Sequence, residues 1–211
     1  IPAINAETFN EVCKKIELVN GHAEWIHIDI ADGTFTKNIL WHTPKDLEQY
    51  VRSLSIKPMI EVHLMIENPE TTIDDWIQAG AKRIIVHIET IQDFDSIKRV
   101  CDTAGIELMI ALAPETPVEK LEPYFNNNKA FQVLSVHPGV PGQLFIESSY
   151  DKIKYIRAHC PHCDLEVDGG ISVSVARKCK AAGANIFVAA SAIFGAESVE
   201  KGIETLYKDI L

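Results

Sequence analysis

Three pairs of ionisable residues stand two apart inside otherwise apolar runs: His27 with Asp29, Glu61 with His63, and Glu166 with Asp168. Side chains alternate faces along a strand, so each pair shares a face. Ile26, Ile28 and Ile30 take the opposite face of the first run, Val62 and Leu64 that of the second, Leu165 and Val167 that of the third. Met65 continues the face of Glu61 and His63, and His87 closes a further apolar run. A single group of this kind is ordinarily a satisfied core histidine or a hydrogen-bonded acid. Four or five at one end of a core are strongly destabilising unless paired. Two imidazoles and two carboxylates can share a divalent cation, which neutralises the acids and takes the ring nitrogens as ligands. A metal or catalytic cluster is therefore expected.

Three glycine-rich or small-residue turns follow later apolar runs. They are Pro138-Gly139-Val140-Pro141-Gly142-Gln143, Asp168-Gly169-Gly170, and Ala189-Ala190-Ser191. Glycine lets backbone approach a ligand closely, and amides at a helix start hold phosphate oxygens. Each turn alone says little; the three in this order fit a phosphate site.

These groups meet only if their strands lie side by side. Strands are expected near 3–4, 25–30, 58–65, 83–88, 106–112, 132–136, 165–168 and 185–189. Helices are expected near 6–19, 44–53, 69–79, 93–103, 117–124, 148–159, 172–182 and 198–209. Pro44, Pro69 and Pro117 stand at helix starts, and Gly80, Gly105 and Gly183 at helix ends. Eight alternating units predict a parallel sheet with helices outside, and a single (β/α)8 TIM barrel over 1–211 fits the count best. A doubly wound open sheet is the alternative, but the G-x-G-x-x-G turn it usually carries is missing. In a barrel the helix-facing side of each strand is apolar, so the paired ionisable residues point inward.

Composition narrows the partners. The net charge is −10, which argues against a broad nucleic-acid face but leaves room for a small anionic ligand. No apolar run approaches the ~20 residues of a membrane helix. The chain opens at Ile1-Pro2 without methionine, so a few residues are expected to be missing, and no signal peptide is recognisable. The cysteines Cys13, Cys101, Cys160, Cys163 and Cys179 are odd in number, which points to a reducing cytoplasm. Cys160-Pro161-His162-Cys163 has the spacing of half a zinc or redox site, with no second half, and reads as a loop. Trp25, Trp41 and Trp76 read as packing or interface residues, with Trp41 placed to serve a lid or an oligomer contact. His22, His159 and His162 read as surface residues.

Taken together, the motifs resemble the ribulose-phosphate 3-epimerase family. His27-Ile28-Asp29-Ile30-Ala31-Asp32-Gly33-Thr34-Phe35 is similar to its H-[LIV]-D-[LIV]-M-D-G-x-F, and Val62-His63-Leu64-Met65 with Pro69 to its V-H-L-M-V-x-x-P. Ala111-Leu112-Ala113-Pro114-Glu115-Thr116-Pro117 resembles A-L-N-P-x-T-P. Ser135-Val136-His137-Pro138-Gly139, with Gly142-Gln143 and Phe145, resembles S-V-x-P-G-F-G-G-Q-x-F, and Glu166-Val167-Asp168-Gly169-Gly170-Ile171 matches E-V-D-G-G-[IV]. The resemblance implies a barrel of the ribulose-phosphate-binding type. It implies one divalent metal on His27, Asp29, His63 and Asp168, with Fe, Zn, Mn and Co indistinguishable. It also makes Asp29 and Asp168 the acid and base that epimerise C3 of a ketose phosphate, foremost D-ribulose 5-phosphate. Substrate and its phosphate would meet His63, Gly139, Val140, Pro141, Gly142, Gly169, Gly170, Ala190 and Ser191, with Met65 and His137 in a second rank. The partner implied is a small sugar phosphate, with no nucleic acid and no membrane; related barrels are often dimers or hexamers.

The chain departs from the pattern at several positions. Ala3 replaces a serine and loses a hydroxyl, Ala31 and Leu134 replace methionines, Pro141 has no N–H to donate, and Ala190 brings a Cβ where the family has glycine. These changes leave open another ketose phosphate, such as a hexulose 6-phosphate, or a phosphosugar-binding barrel without activity. The related decarboxylase and aldolase barrels use D-x-K-x-x-D; Asp29-Ile30-Ala31-Asp32 lacks that lysine.

Overall fold

The computed structural model describes residues 1–139 and 142–210. Its eight parallel strands are β1 (Ala3–Ile4), β2 (Trp25–Ala31), β3 (Met59–Met65), β4 (Arg83–His87), β5 (Glu107–Leu112), β6 (Ala130–Leu134), β7 (Asp164–Asp168) and β8 (Ile186–Val188). They follow one another in chain order around a single sheet. A parallel bridge between Pro2 and Ala189 joins the last strand to the first, so the sheet is a barrel.

The helices outside are α1 (Phe9–Val19), α2 (Pro44–Ser53), α3 (Ile73–Gln78), α4 (Phe94–Ala104), α5 (Ser149–His159), α6 (Val173–Ala182), α7 (Ser191–Phe194) and α8 (Val199–Ile210). Their starts follow local chemistry. Thr8 and Glu11 form a reciprocal capping box on α1, and Asp93 and Ser172 cap α4 and α6. Gly105 ends α4 at φ 67°, a left-handed conformation that costs a residue with Cβ.

Three expectations need correction. The stretch 117–124 is a 3-10 helix over Val118–Tyr124, with Pro123, which has no N–H to donate, inside it. The stretch 69–79 divides at Thr72 into a 3-10 turn, Pro69–Thr71, and the short α3. The sixth strand begins at Ala130 and stops at Leu134; beyond it Ser135 turns its hydroxyl onto the carbonyls of Asp168 and Gly169, 2.7 Å from each.

Two-residue alternation sorts the strand side chains as expected. Ile26, Ile28, Ile30, Val62, Leu64, Ile84 and Val86 pack outward against α1 to α4. Phe131, Val133, Leu165 and Val167 pack outward under α5 and α6. Trp41 is no lid: it is 6% exposed and lies against Phe9 and Trp76, with centroid distances of 4.9 and 5.8 Å. In the Cys160–Cys163 loop, Cys163 is buried and Arg157 binds the carbonyls of Cys160, Pro161 and Cys163. Among the described residues, no helix is long and apolar enough to cross a membrane.

Trp76 is 1% exposed at the centre of the α2–α3 layer. Trp76→Ala should cost about 3–5 kcal/mol, the usual range for a buried tryptophan, read as a lower urea midpoint. A loss under about 1 kcal/mol would mean that this layer collapses onto the cavity.

Candidate active site

At the C-terminal ends of β2, β3 and β7, four side chains converge. His27, Asp29, His63 and Asp168 offer ligand atoms that all lie within 4.8 Å of one another. The register explains the convergence: Asp29 pairs with His63 across β2 and β3, and His27 lies one step below beside Glu61. Asp29 Oδ1 is 3.2 Å from His27 Nε2 and 3.1 Å from His63 Nδ1. Asp168 Oδ2 reaches the same two nitrogens at 3.7 and 3.5 Å.

Each histidine is held from behind. His27 Nδ1 is 2.8 Å from Glu61 Oε1. His63 Nε2 is 2.9 Å from His87 Nε2, and His87 Nδ1 is 3.1 Å from Glu89 Oε2. Burial works against a charged His27, but Asp29 and Glu61 outweigh it and raise its pKa well above the ordinary value. His63 is raised in the same way, by Asp168 and Asp29 against burial. Burial also opposes ionised Asp29, yet the two histidines hold its carboxyl well below the usual range. Asp29 is thus a carboxylate that only accepts, so both facing nitrogens carry protons. Replacing those two protons by one dication leaves the cluster's charge unchanged. Two imidazole nitrogens and two carboxylates are also a donor set that iron, zinc, manganese and cobalt all accept. The residues fit a divalent metal on both counts.

Below the cluster lies a buried ionic layer that the sequence reading left without a role. Arg83 binds Glu61 and Glu107, and its Nη1 is 3.7 Å from Glu166 Oε2. Gln132 donates to Glu166 Oε1 at 2.8 Å. Burial and the neighbouring Glu61 push the Glu166 carboxyl up to about 8. Glu61 itself is lowered: burial raises it, but His27 and Arg83 win.

Above the cluster a cavity opens between the loops. Its lining includes Asp29, Met65, His137, Gly139, Gly142, Asp168, Gly169, Gly170, Ala190 and Ser191. His63 is fully buried beneath it. Val140 and Pro141 lie outside the described residues. Gly170 sits at φ +64°, and a Cβ there would come 2.4 Å from Phe145 N, so the turn demands glycine. Ala190 precedes α7, whose first residue is Ser191. His137 is exposed at the rim, 2.7 Å from Glu115. Asn5 was missed: its amide donates to Asp29 Oδ2 at 3.2 Å beside Ala3, leaving Oδ1 for the histidines. A lone asparagine after a two-residue strand gives no periodic signal.

Comparison with known proteins adds to this geometry. Residues 1–194 match the model of the ribulose-phosphate 3 epimerase family. A ribulose-phosphate 3-epimerase of Chlamydia trachomatis serovar D is 36% identical over 183 residues, 84% of this chain and 77% of the relative. The chloroplastic ribulose-5-phosphate-3-epimerase of Arabidopsis thaliana is 35% identical over 97% of this chain and 73% of its own. Among solved structures, KGPDC from Streptococcus mutans superposes with a TM-score of 0.74 at 13% identity, covering 99% of this chain and 95% of that one. The 3-hexulose-6-phosphate synthase from Salmonella typhimurium gives 0.75 at 14% identity, covering 99% and 96%. At such identity these two structures speak for the fold alone.

Glu89 gives a pH test of the buried network. Burial raises its carboxyl, but His87, Thr116 and the Ala113 amide bring it from 4.5 down to about 2. A depressed acid contributes stability that is complete above the unfolded value and is lost as pH falls through the folded one. The urea midpoint should therefore fall between pH 4.5 and about 2. Glu89→Gln should flatten that fall by on the order of 2–3 kcal/mol. Identical acid limbs in both proteins would mean that Glu89 is not held in this network.

Proposed function

The chain belongs to the ribulose-phosphate 3-epimerase family and is an isomerase of that type, and on that premise we propose that it inverts C3 of D-ribulose 5-phosphate to give D-xylulose 5-phosphate. The observation that carries the reading is the pair of aspartates. Asp29 on β2 and Asp168 on β7 line one cavity from different strands, beside two buried histidines.

Inversion at a carbon next to a ketone needs a base on one side and an acid on the other. Asp29 turns Oδ1 to the histidines and Asp168 turns Oδ2. Asp29 Oδ2 accepts from Asn5 and keeps a second lone pair for the substrate, and Asp168 keeps its Oδ1. One aspartate removes the C3 proton to give an enediolate, and the other returns a proton to the opposite side. When bound by His27, Asp29, His63 and Asp168, a divalent cation supplies Lewis-acid stabilisation for the negative charge that develops beside C3. The substrate phosphate goes to the turns at Gly139, Gly142, Gly169 and Gly170 and to Ala190 and Ser191, where glycine lets the backbone come close. Met65 walls the cavity, and His137 at the rim meets the sugar from outside.

The test is metal-loaded enzyme with D-ribulose 5-phosphate in D₂O, with C3 deuterium and xylulose 5-phosphate followed together by NMR. Exchange with product supports the reading. Metal-loaded enzyme giving neither signal overturns this substrate. Asp29→Asn and Asp168→Asn should each lower kcat by about 100- to 10,000-fold. Near-full activity in either variant removes that residue from proton transfer.

A further inference from the structure

His87 and Glu89 take no part in the reaction just described, yet they sit behind one of its histidines. His63 and His87 are fully buried, and the Glu89 side chain is 18% exposed. The three form one line: His63 Nε2 to His87 Nε2 at 2.9 Å, then His87 Nδ1 to Glu89 Oε2 at 3.1 Å. The far end is anchored, because Glu89 Oε1 accepts the Ala113 N–H at 2.9 Å. The loop that supplies this amide is itself fixed by Lys152, which donates to the carbonyls of Ala113, Pro114 and Thr116.

The line has a direction. An ionised carboxylate can only accept, so the proton between His87 and Glu89 belongs to His87 Nδ1. A neutral His87 then has a lone pair at Nε2 and accepts from His63. The proton of a neutral His63 must therefore sit on Nε2, which leaves the Nδ1 lone pair facing Asp29 and Asp168. The opposite order would aim two lone pairs, one from His87 and one from the carboxylate, at each other. His27 needs no such intermediary, because Glu61 meets its Nδ1 directly. Glu89 lies two residues beyond the end of β4, and His87 bridges the gap to His63.

We propose that His87 and Glu89 are positioning residues that lock His63 in its Nε2–H tautomer and so present Nδ1 as a metal ligand. The proposal rests on the reading of His27, Asp29, His63 and Asp168 as the metal set. Outer-shell partners of this kind typically change metal affinity about 10- to 100-fold.

The experiment uses the full chain, stripped of metal and titrated with Zn²⁺ against a chromogenic chelator. His87→Leu removes the acceptor and should weaken Zn²⁺ binding about 10- to 100-fold. His87→Gln keeps an acceptor oxygen for His63 and should recover most of that loss. Thermal melts of each variant report whether it is folded. Long-range ¹H–¹⁵N spectra of the Zn²⁺-loaded wild type should give His63 as Nε2–H and His87 as Nδ1–H. Equal affinity in a folded His87→Leu, or His63 found as Nδ1–H, overturns the proposal. If wild type binds no Zn²⁺, or His63→Ala binds it as tightly, the metal set itself fails. In that case His87 in the metal-free spectrum still decides the direction of the line: Nε2–H reverses it, and Nδ1–H keeps it.

Discussion

The arrangement depends on one carboxylate oxygen. Asp29 Oδ1 lies within 3.2 Å of two histidines from two neighbouring strands. That contact exists only if β2 and β3 are parallel and in the register that sets Asp29 against His63. A shift of one residue would turn His63 outward and bring Leu64 into the barrel. The isoleucines and leucines of the opposite faces, packed under the helices, therefore hold the register that the polar face needs. Packing and chemistry impose the same constraint on alternate residues of one strand.

This also explains why so much of the site was legible in the sequence. The i, i+2 spacing of His27 with Asp29 and of Glu166 with Asp168 states both a strand and a direction, and the apolar neighbours say which side faces the helices. His63 and His87 follow by the same parity. Arg83, Gln132 and Asn5 did not emerge, for different reasons. Arg83 opens an apolar strand, where an exposed end charge is the ordinary reading. Gln132 is one polar residue among apolar ones, and its partner Glu166 lies 34 positions away. Asn5 follows a strand too short to show a period. The 3-10 helix at Val118–Tyr124 carries an apolar pattern that serves either helix type, and Pro123, which donates in neither, does not tell them apart.

The departures from the family pattern concentrate around the cavity and spare the cluster. Ala3, Leu134 and Ala190 all line it, together with Asn5. An alanine at position 3 withdraws a hydroxyl, while Asn5 next to it brings an amide that reaches Asp29. An amide donor thus stands on the wall beside a position that carries no hydroxyl. A donor on Asp29 Oδ2 holds the oxygen that is not turned to the histidines. It therefore bears on how the carboxylate is aimed at substrate rather than on how it meets a metal.

The barrel interior is divided, and the division accounts for the cost of such a site. Ile85, Met109, Ala111 and Ala130 form a buried apolar patch centred on β4 and β5, with Ile186 against it. Glu61, Arg83, Gln132 and Glu166, from β3, β4, β6 and β7, form the ionic layer beneath the site. Charges in this position are destabilising unless each is matched, since a broken buried pair costs several kcal/mol. Arg83 answers Glu61 directly, and Glu166, crowded by that same acid, is held toward its neutral form. One fewer buried negative charge remains for the layer to offset. Glu61 is then free to hold His27 from below, so the ionic layer serves as the floor that orients the site above it.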